Sequence, residues 1–297
     1  MNINQMKAFI ESVQAASISK AATQLHLTQP AVSQQIQSLE NSLGYQLLIR
    51  SNKGVQLTEY GKVFYSYAQS FITLWGNLQN DLANVENNNA TLQIGTCPAI
   101  GQYALPCALY LFKQKYPYNS VSVQSFSSEQ ILYHLKEHSF QIGFIQDGYN
   151  PQDLTSYQVL KNPLILVASP QMDLSIIELK ELHTIPLILG PENSDLKKSL
   201  RLSLFQYGFD LTPLKPLLEL DGLESIKSTV RAGHGCSFLP YFSIKKELYS
   251  KELKEIKIKG VNLETSFSMV WRKEENLTEA ARSFIDFIKN EGVKGFC

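Results

Sequence analysis

The stretch Ala16-Ser17-Ile18-Ser19-Lys20-Ala21-Ala22-Thr23-Gln24-Leu25-His26-Leu27-Thr28-Gln29-Pro30-Ala31-Val32-Ser33-Gln34-Gln35-Ile36 decides how this chain is read. Ser17 is a good N-cap for a helix through Ile18, Ala21, Ala22 and Leu25. Thr28 can cap another, with Gln29 and Pro30 in its first turn and Val32, Ile36, Leu39 and Leu43 as its buried stripe. Only His26 and Leu27 separate them, a turn tight enough to set two helices at a steep angle. Working outward, Met6, Phe9, Ile10 and Val13 recur at helical spacing and predict a preceding helix. On the other side, Leu47 to Arg50 and Val55 to Leu57 flank Ser51-Asn52-Lys53-Gly54, which predicts a hairpin with Arg50 and Lys53 near its tip. The third helix exposes Gln29, Ser33, Gln34 and Gln37. These are uncharged hydrogen-bonding groups, and glutamine can pair with the major-groove edge of adenine.

These residues, together with Leu39-Glu40, Leu43-Gly44, Leu47-Leu48, Arg50, Leu57-Thr58 and Gly61, resemble the winged helix-turn-helix of LysR-type transcriptional regulators. Met6 and Leu48 stand where that family often has Leu and Phe. The residues expected to meet double-stranded DNA are Ser17, Ser19, Lys20, Thr28, Gln29, Pro30, Ser33, Gln34, Gln37, Arg50 and Lys53. Capping hydroxyls and basic groups would hold phosphates, and the glutamines would read bases.

A long helix follows. Phe64, Ala68, Phe71, Trp75, Leu78, Leu82 and Val85 alternate at spacings of four and three, the seam of a coiled coil. Such a helix is too long to bury itself on the preceding domain alone, so pairing with a second copy is expected. The resemblance implies the same dimer, extending to a tetramer, and RNA polymerase as a further partner if the protein activates. Asn87-Asn88-Asn89 marks the boundary of the linker, giving domains of 1–61, 62–89 and 90–297.

From Thr91 onward short apolar strands alternate with helices, which predicts βαβ units and a mainly parallel sheet. Breaks at Asn162-Pro163 and Glu264-Thr265 divide this part into one lobe of 91–162 with 266–297 and a second of 163–265. The expected whole is an N-terminal all-α winged helix-turn-helix with a long linker helix. A C-terminal α/β effector domain follows, two-lobed like a periplasmic binding protein. Looser marks of the family support the second half: Tyr116-Pro117, Leu164 to Ser169, and Ala232-Gly233-His234-Gly235. Gln141 departs from them, standing where an Asp commonly opens the third strand.

Ligands of open α/β sheets sit beyond the carboxyl ends of the strands. Helix starts there offer unpaired N–H groups that suit a small anion. The candidate effector-binding residues are Thr96, Cys97, Pro98 and Ala99, then Ser127 and Ser128, then Asn193 and Ser194, with His234 nearby. The alternatives are a redox-responsive regulator switched through Cys97, whose place at a helix N-terminus would lower its thiol pKa, and a cytoplasmic solute-binding protein or enzyme using the α/β part. No P-loop, dinucleotide fingerprint or catalytic acid pair is present, so catalytic residues, metal ligands and cofactors are all expected to be none.

Composition sharpens the reading. The 297 residues carry 27 basic and 27 acidic side chains, which excludes a uniformly basic coat for nucleic acid. By segment, residues 1–62 hold five basic against three acidic groups, residues 63–90 two acidic groups, and the rest balances. Affinity for DNA should therefore rest on the dimer and on polar base readout rather than on bulk attraction. With no secretory signal, no membrane-length apolar run and four cysteines without a CxxC pair, a soluble cytoplasmic protein with reduced thiols is expected.

Overall fold

The structure, a computed structural model, describes residues 1–51, 54–87, 91–151, 153–273, 277–292 and 296, apart from the side chains of 51, 77 and 80–87. Lys53, Asn88-Asn89, the heptad side chains of Leu82 and Val85, and Cys297 lie outside the described residues. The chain forms two compact units, the first carried by residues 1–83 and the second by 84–136 and 140–297.

The first unit opens with α1 (Ile3–Gln14), α2 (Ile18–Gln24) and α3 (Gln29–Leu43). Each start is fixed by a local side chain. Asn2 and Gln5 form a reciprocal capping box, Ser17 accepts from the Lys20 N–H, and Thr28 accepts from the Ala31 N–H. Each such cap is worth about 1 kcal/mol. Phe9, Ala22, Val32, Ile36 and Leu39 form the small core between the helices, closed by Leu47 and Leu48. β1 (Leu48–Ser51) and β2 (Gly54–Leu57) pair antiparallel as the expected hairpin. Gly54 has φ +116°, and a Cβ there would lie 2.6 Å from the Ala16 carbonyl oxygen, so the wing can root against the α1–α2 turn only with glycine at this position. The long helix α4 (Glu59–Asn87) then begins with Thr58 accepting from the Gly61 N–H. Phe64 and Tyr65 at its start pack on Phe9.

The second unit runs β3 (Thr91–Thr96), α5 (Pro98–Tyr103), α6 (Leu105–Lys115), β4 (Ser120–Ser125), α7 (Ser128–Lys136), β5 (Ile142–Gln146) and β6 (Leu154–Ala168). It continues with β7 (Ile176–Ile177), β8 (Ile188–Leu189), α8 (Asp195–Phe205), β9 (Leu218–Glu219), α9 (Leu223–Arg231), β10 (Cys236–Pro240) and α10 (Tyr241–Tyr249). It closes with β11 (Lys254–Glu255), β12 (Lys257–Ile258), β13 (Glu264–Arg272) and α11 (Glu279–Phe287).

The main sheet has the order β10-β6-β13-β5-β3-β4, with β11 also on β6. It is mixed, which corrects the expectation of a mainly parallel sheet. β3 pairs parallel with β4 and β5, but β13 pairs antiparallel with both β5 and β6, and β10 antiparallel with β6. The chain's return through β13 reverses direction, which strand-and-helix alternation alone does not reveal. At Asn162-Pro163, the expected lobe boundary, the chain stays within one strand. β6 passes straight through it for 15 residues. Pro163 sits where the strand changes partner, from β13 (Pro163 against Glu264) to β10 (Leu164 against Pro240). A missing N–H is least costly at such a handover.

Two hydrophobic cores make the domain two-lobed. The larger holds Leu92, Ile94, Phe112, Phe144, Trp271 and Phe284, and it also takes Leu223, Ile226, Val230 and Phe242 from α9 and α10. The smaller holds Leu166, Leu187, Leu200, Leu204 and Phe238. β6 and β13 join them as a two-stranded ribbon. Gln141 has a structural place, its side-chain oxygen accepting from the Gln93 N–H (3.1 Å) beside the edge of β5. Among the described residues no helix is long and apolar enough to cross a membrane, and no group of three or more His, Cys, Asp or Glu is placed to hold a metal ion. Cys97 and Cys236 are free and buried.

Candidate nucleic-acid interface and effector cavity

In the first unit Ser19, Lys20, Thr28, Gln29, Pro30, Gln34, Gln37 and Arg50 are exposed, and Ser17 and Ser33 are half-buried. Gln29, Ser33 and Gln37 are spaced by four on α3, so they share a face, and Gln34 lies beside them. The wing is tied to that face: the Arg50 guanidinium donates to Ser33 Oγ at 2.6 Å. Glu40, near the end of α3, accepts from the Leu47 and Leu48 N–H groups at 2.7 and 3.1 Å. Thr58 Oγ1 donates to the Gln46 carbonyl at 2.7 Å. Glu40 and Thr58 therefore fix where β1 leaves the helices. Neither was singled out for a role from the sequence, because each acts on a backbone group several residues away.

In the second unit a cavity of about 690 Å³ opens between the lobes, a common size for a small-molecule site. Four helices begin at its wall: α5 at Pro98-Ala99, α7 at Ser127, α8 at Asn193-Ser194 and α9 at Gly222-Leu223. Pro98, Ala99, Ser127, Asn193 and Ser194 thus come together as expected. Thr96, Cys97 and Ser128 are buried behind the wall rather than in it. Thr96 Oγ1 donates to the Cys97 carbonyl at 3.1 Å, and Ser128 Oγ accepts from the Gln146 N–H at 3.0 Å, so both hydroxyls are consumed locally. His234 is exposed and outside the cavity. It sits in the glycine turn that follows α9, a helix length away from the end of α9 that faces the cavity.

The wall also contains residues not expected from sequence: Glu129, Gln130, Tyr133, Gln146, Asp195 and Asp221 among them. Their common signal is position, at or just past the carboxyl ends of β4, β5, β8 and β9. Gln146 and Thr265 anchor the floor. Gln146 Nε2 donates to Thr265 Oγ1 at 2.9 Å, Ser199 Oγ on α8 donates to the same oxygen at 2.8 Å, and Thr265 donates to Asp147 at 3.2 Å. Through Thr265 on β13, side chains of both lobes share one buried network.

Electrostatics overturn one expectation. The Cys97 thiol is pushed well above its ordinary pKa, by complete burial first and the Asp195 charge second. Burial likewise pushes Cys236 up to about 12. The Ile100 N–H at the start of α5 does lower the Cys97 pKa, but desolvation of the dry sulfur outweighs it. Asp195 is also raised, by burial, against the opposing hydrogen bonds from Tyr149 and Ser128.

A helix-turn-helix with a wing, together with a two-lobed domain holding a cavity between its lobes, defines a transcriptional regulator with an effector-binding domain. Family profiles agree in both halves. The bacterial regulatory helix-turn-helix protein, lysR family, matches residues 3–62, and the LysR substrate binding domain matches residues 86–292. The chain belongs to the LysR family and is a DNA-binding transcriptional regulator. It is 30% identical over 296 residues to a probable RuBisCO transcriptional regulator of Cyanidioschyzon merolae, covering 97% of each chain. It is 28% identical over 292 residues to the HTH-type transcriptional activator CmpR of Synechocystis, covering 96% of this chain and 94% of that one. Its fold is that of the LysR family regulator CbnR, with a TM-score of 0.75 at 20% identity over 97% of this chain and 98% of that one.

Proposed function

We propose that this chain is a dimeric, cytoplasmic regulator that reads DNA with α3 and the wing, under control of a small effector with one acidic group bound between the lobes. The observation that carries the effector reading is the convergence of four helix N-termini on one cavity, each presenting the positive end of its dipole. No lysine or arginine lines the described cavity. Attraction for an acidic group therefore falls to backbone N–H groups, chiefly at α9, whose cap Gly222 supplies no side-chain acceptor of its own. The carboxylates of Glu129, Asp195 and Asp221 on the same wall would repel a second negative charge and accept from ligand hydroxyls.

Pairing through α4 is supported by the exposure of Phe71, Trp75 and Leu78 at 46, 37 and 47% on its heptad seam. CbnR, whose fold this chain shares, has been solved as a full-length protein with its target DNA, which supports duplex DNA as the partner. In this reading Gln29, Gln34 and Gln37 meet base edges, while Ser17, Ser19, Lys20, Thr28 and Arg50 meet phosphates. Effector binding shifts the population of lobe arrangements and so the spacing of paired recognition helices.

The test is a thermal-unfolding titration of the intact chain with monocarboxylic hydroxy acids, dicarboxylic acids and inorganic phosphate. Stabilisation by monoacids, lost in Leu223→Pro, is expected. No shift with any of them contradicts the effector reading.

A further inference from the structure

Resting on that reading of the cavity, we propose that the Asp195 carboxylate is a resident anion. It fills the N-terminus of α7, latches the two lobes, and so bars that helix end to the acidic group of an effector.

Asp195 opens α8, on the smaller-core side of the cavity, and is only 7% exposed. An acid at that position ordinarily serves its own helix. Here α8 is already capped by Ser194, whose Oγ accepts from the Lys197 N–H at 3.3 Å. Asp195 instead reaches across. Its two oxygens accept from the Ser128 N–H, the first of α7, at 3.1 and 3.0 Å, and Oδ1 accepts from the Tyr149 hydroxyl at 2.8 Å. Ser128 and Tyr149 both belong to the side of the larger core.

A second bond reinforces the crossing one turn further along α8. Lys198 Nζ donates to the Tyr149 hydroxyl at 2.9 Å and pairs with Glu129 at 3.3 Å. A second N–H of the α7 start is also satisfied, since Gln130 N–H donates to Ser127 Oγ at 3.3 Å. An N-terminal turn that would suit a ligand anion therefore holds an anion of the chain's own. With α7 filled, the starts of α9 and α5, neither capped by a side chain, are left to an effector's acidic group. Charge-assisted bonds to a carboxylate are about twice as strong as neutral ones, so the latch depends on the charge of Asp195 as well as its shape.

The experiment removes the resident anion and offers a free one. In the intact protein, Asp195→Ala should unfold at a lower temperature than wild type. Acetate or formate at ~50 mM, against sodium chloride of equal ionic strength, should restore about half of that loss by mass action. Wild type, whose α7 is already filled, should gain only what binding elsewhere in the cavity gives both proteins. An additional gain in the variant supports the proposal. An equal gain in both proteins, or none in either, overturns it.

Should Asp195→Ala fail to fold, Asp195→Asn keeps the shape and removes the charge. Hydrogen exchange of the Ser128 amide is then expected to quicken several-fold, and an unchanged rate overturns the proposal. Neither readout involves DNA or the natural effector, so failure here is distinct from failure of the regulatory reading.

Discussion

At the scale of single residues, the two kinds of contact made with DNA should separate in mutants. Gln34 is exposed on α3 without charge, so Gln34→Ala should relax preference at one base position by about 1–3 kcal/mol and leave nonspecific binding unchanged. Arg50 is a wing cation held at Ser33. Arg50→Ala should weaken binding to all sequences alike and flatten the slope of log affinity against log salt by about 0.9. Competition binding across a site library and a salt series measure both. Cys97 offers a third test. Its pKa is raised, not lowered, so the thiolate form is scarce on the alkaline side of neutrality as well as at pH 7. Peptide mapping after iodoacetamide treatment at pH 8 should find Cys97 unlabelled in the folded chain and labelled after denaturation. Rapid labelling of the folded protein would revive a redox role. These residues also show what a sequence discloses. Ser17, Thr28, Gln29 and Gln34 were legible because caps and helix faces are decided within four residues of chain. Asp195 was not: in sequence it is an ordinary acid in a helix's first turn, and only tertiary folding sets it against Ser128, 67 residues away.

At the scale of elements, α9 is positioned by one buried cation. The Lys227 side chain is 5% exposed and pairs with Glu224 at 2.9 Å and Glu247 of α10 at 2.8 Å. It donates as well to the Ser243 carbonyl at 3.0 Å and lies 4.9 Å from the centre of the Tyr103 ring of α5. Burial alone would lower its pKa, but the carboxylate hydrogen bonds prevail and raise it. Lys227→Ala leaves the half-buried Glu247 without its partner and should cost about 1–3 kcal/mol in denaturant unfolding. The helix α4 makes the opposite kind of prediction, since its seam is exposed from Phe71 to Leu78. Trp75→Glu with Leu78→Glu should leave the fold intact by circular dichroism and convert the dimer to monomer in sedimentation. The limits of the pattern reading are clearest in β6. Its first half, Leu154 to Asn162, shows no strict alternation and ends before a proline, so its sequence does not mark it as a strand. The proline is tolerated because β6 exchanges β13 for β10 there, a fact of sheet topology rather than of local sequence.

At the scale of the whole molecule, a net charge of zero leaves little bulk attraction for DNA, so the proposed dimer is expected to draw its specificity from two recognition helices on one duplex. The decisive measurement is binding of the intact chain to duplex from the region upstream of its own gene, against random duplex of equal length. It should be followed by footprinting at physiological salt. A preference of at least about 10³-fold is expected, with two protected half-sites separated by a whole number of helical turns. Equal affinity for both duplexes, or protection of one isolated half-site by a monomer, would contradict it.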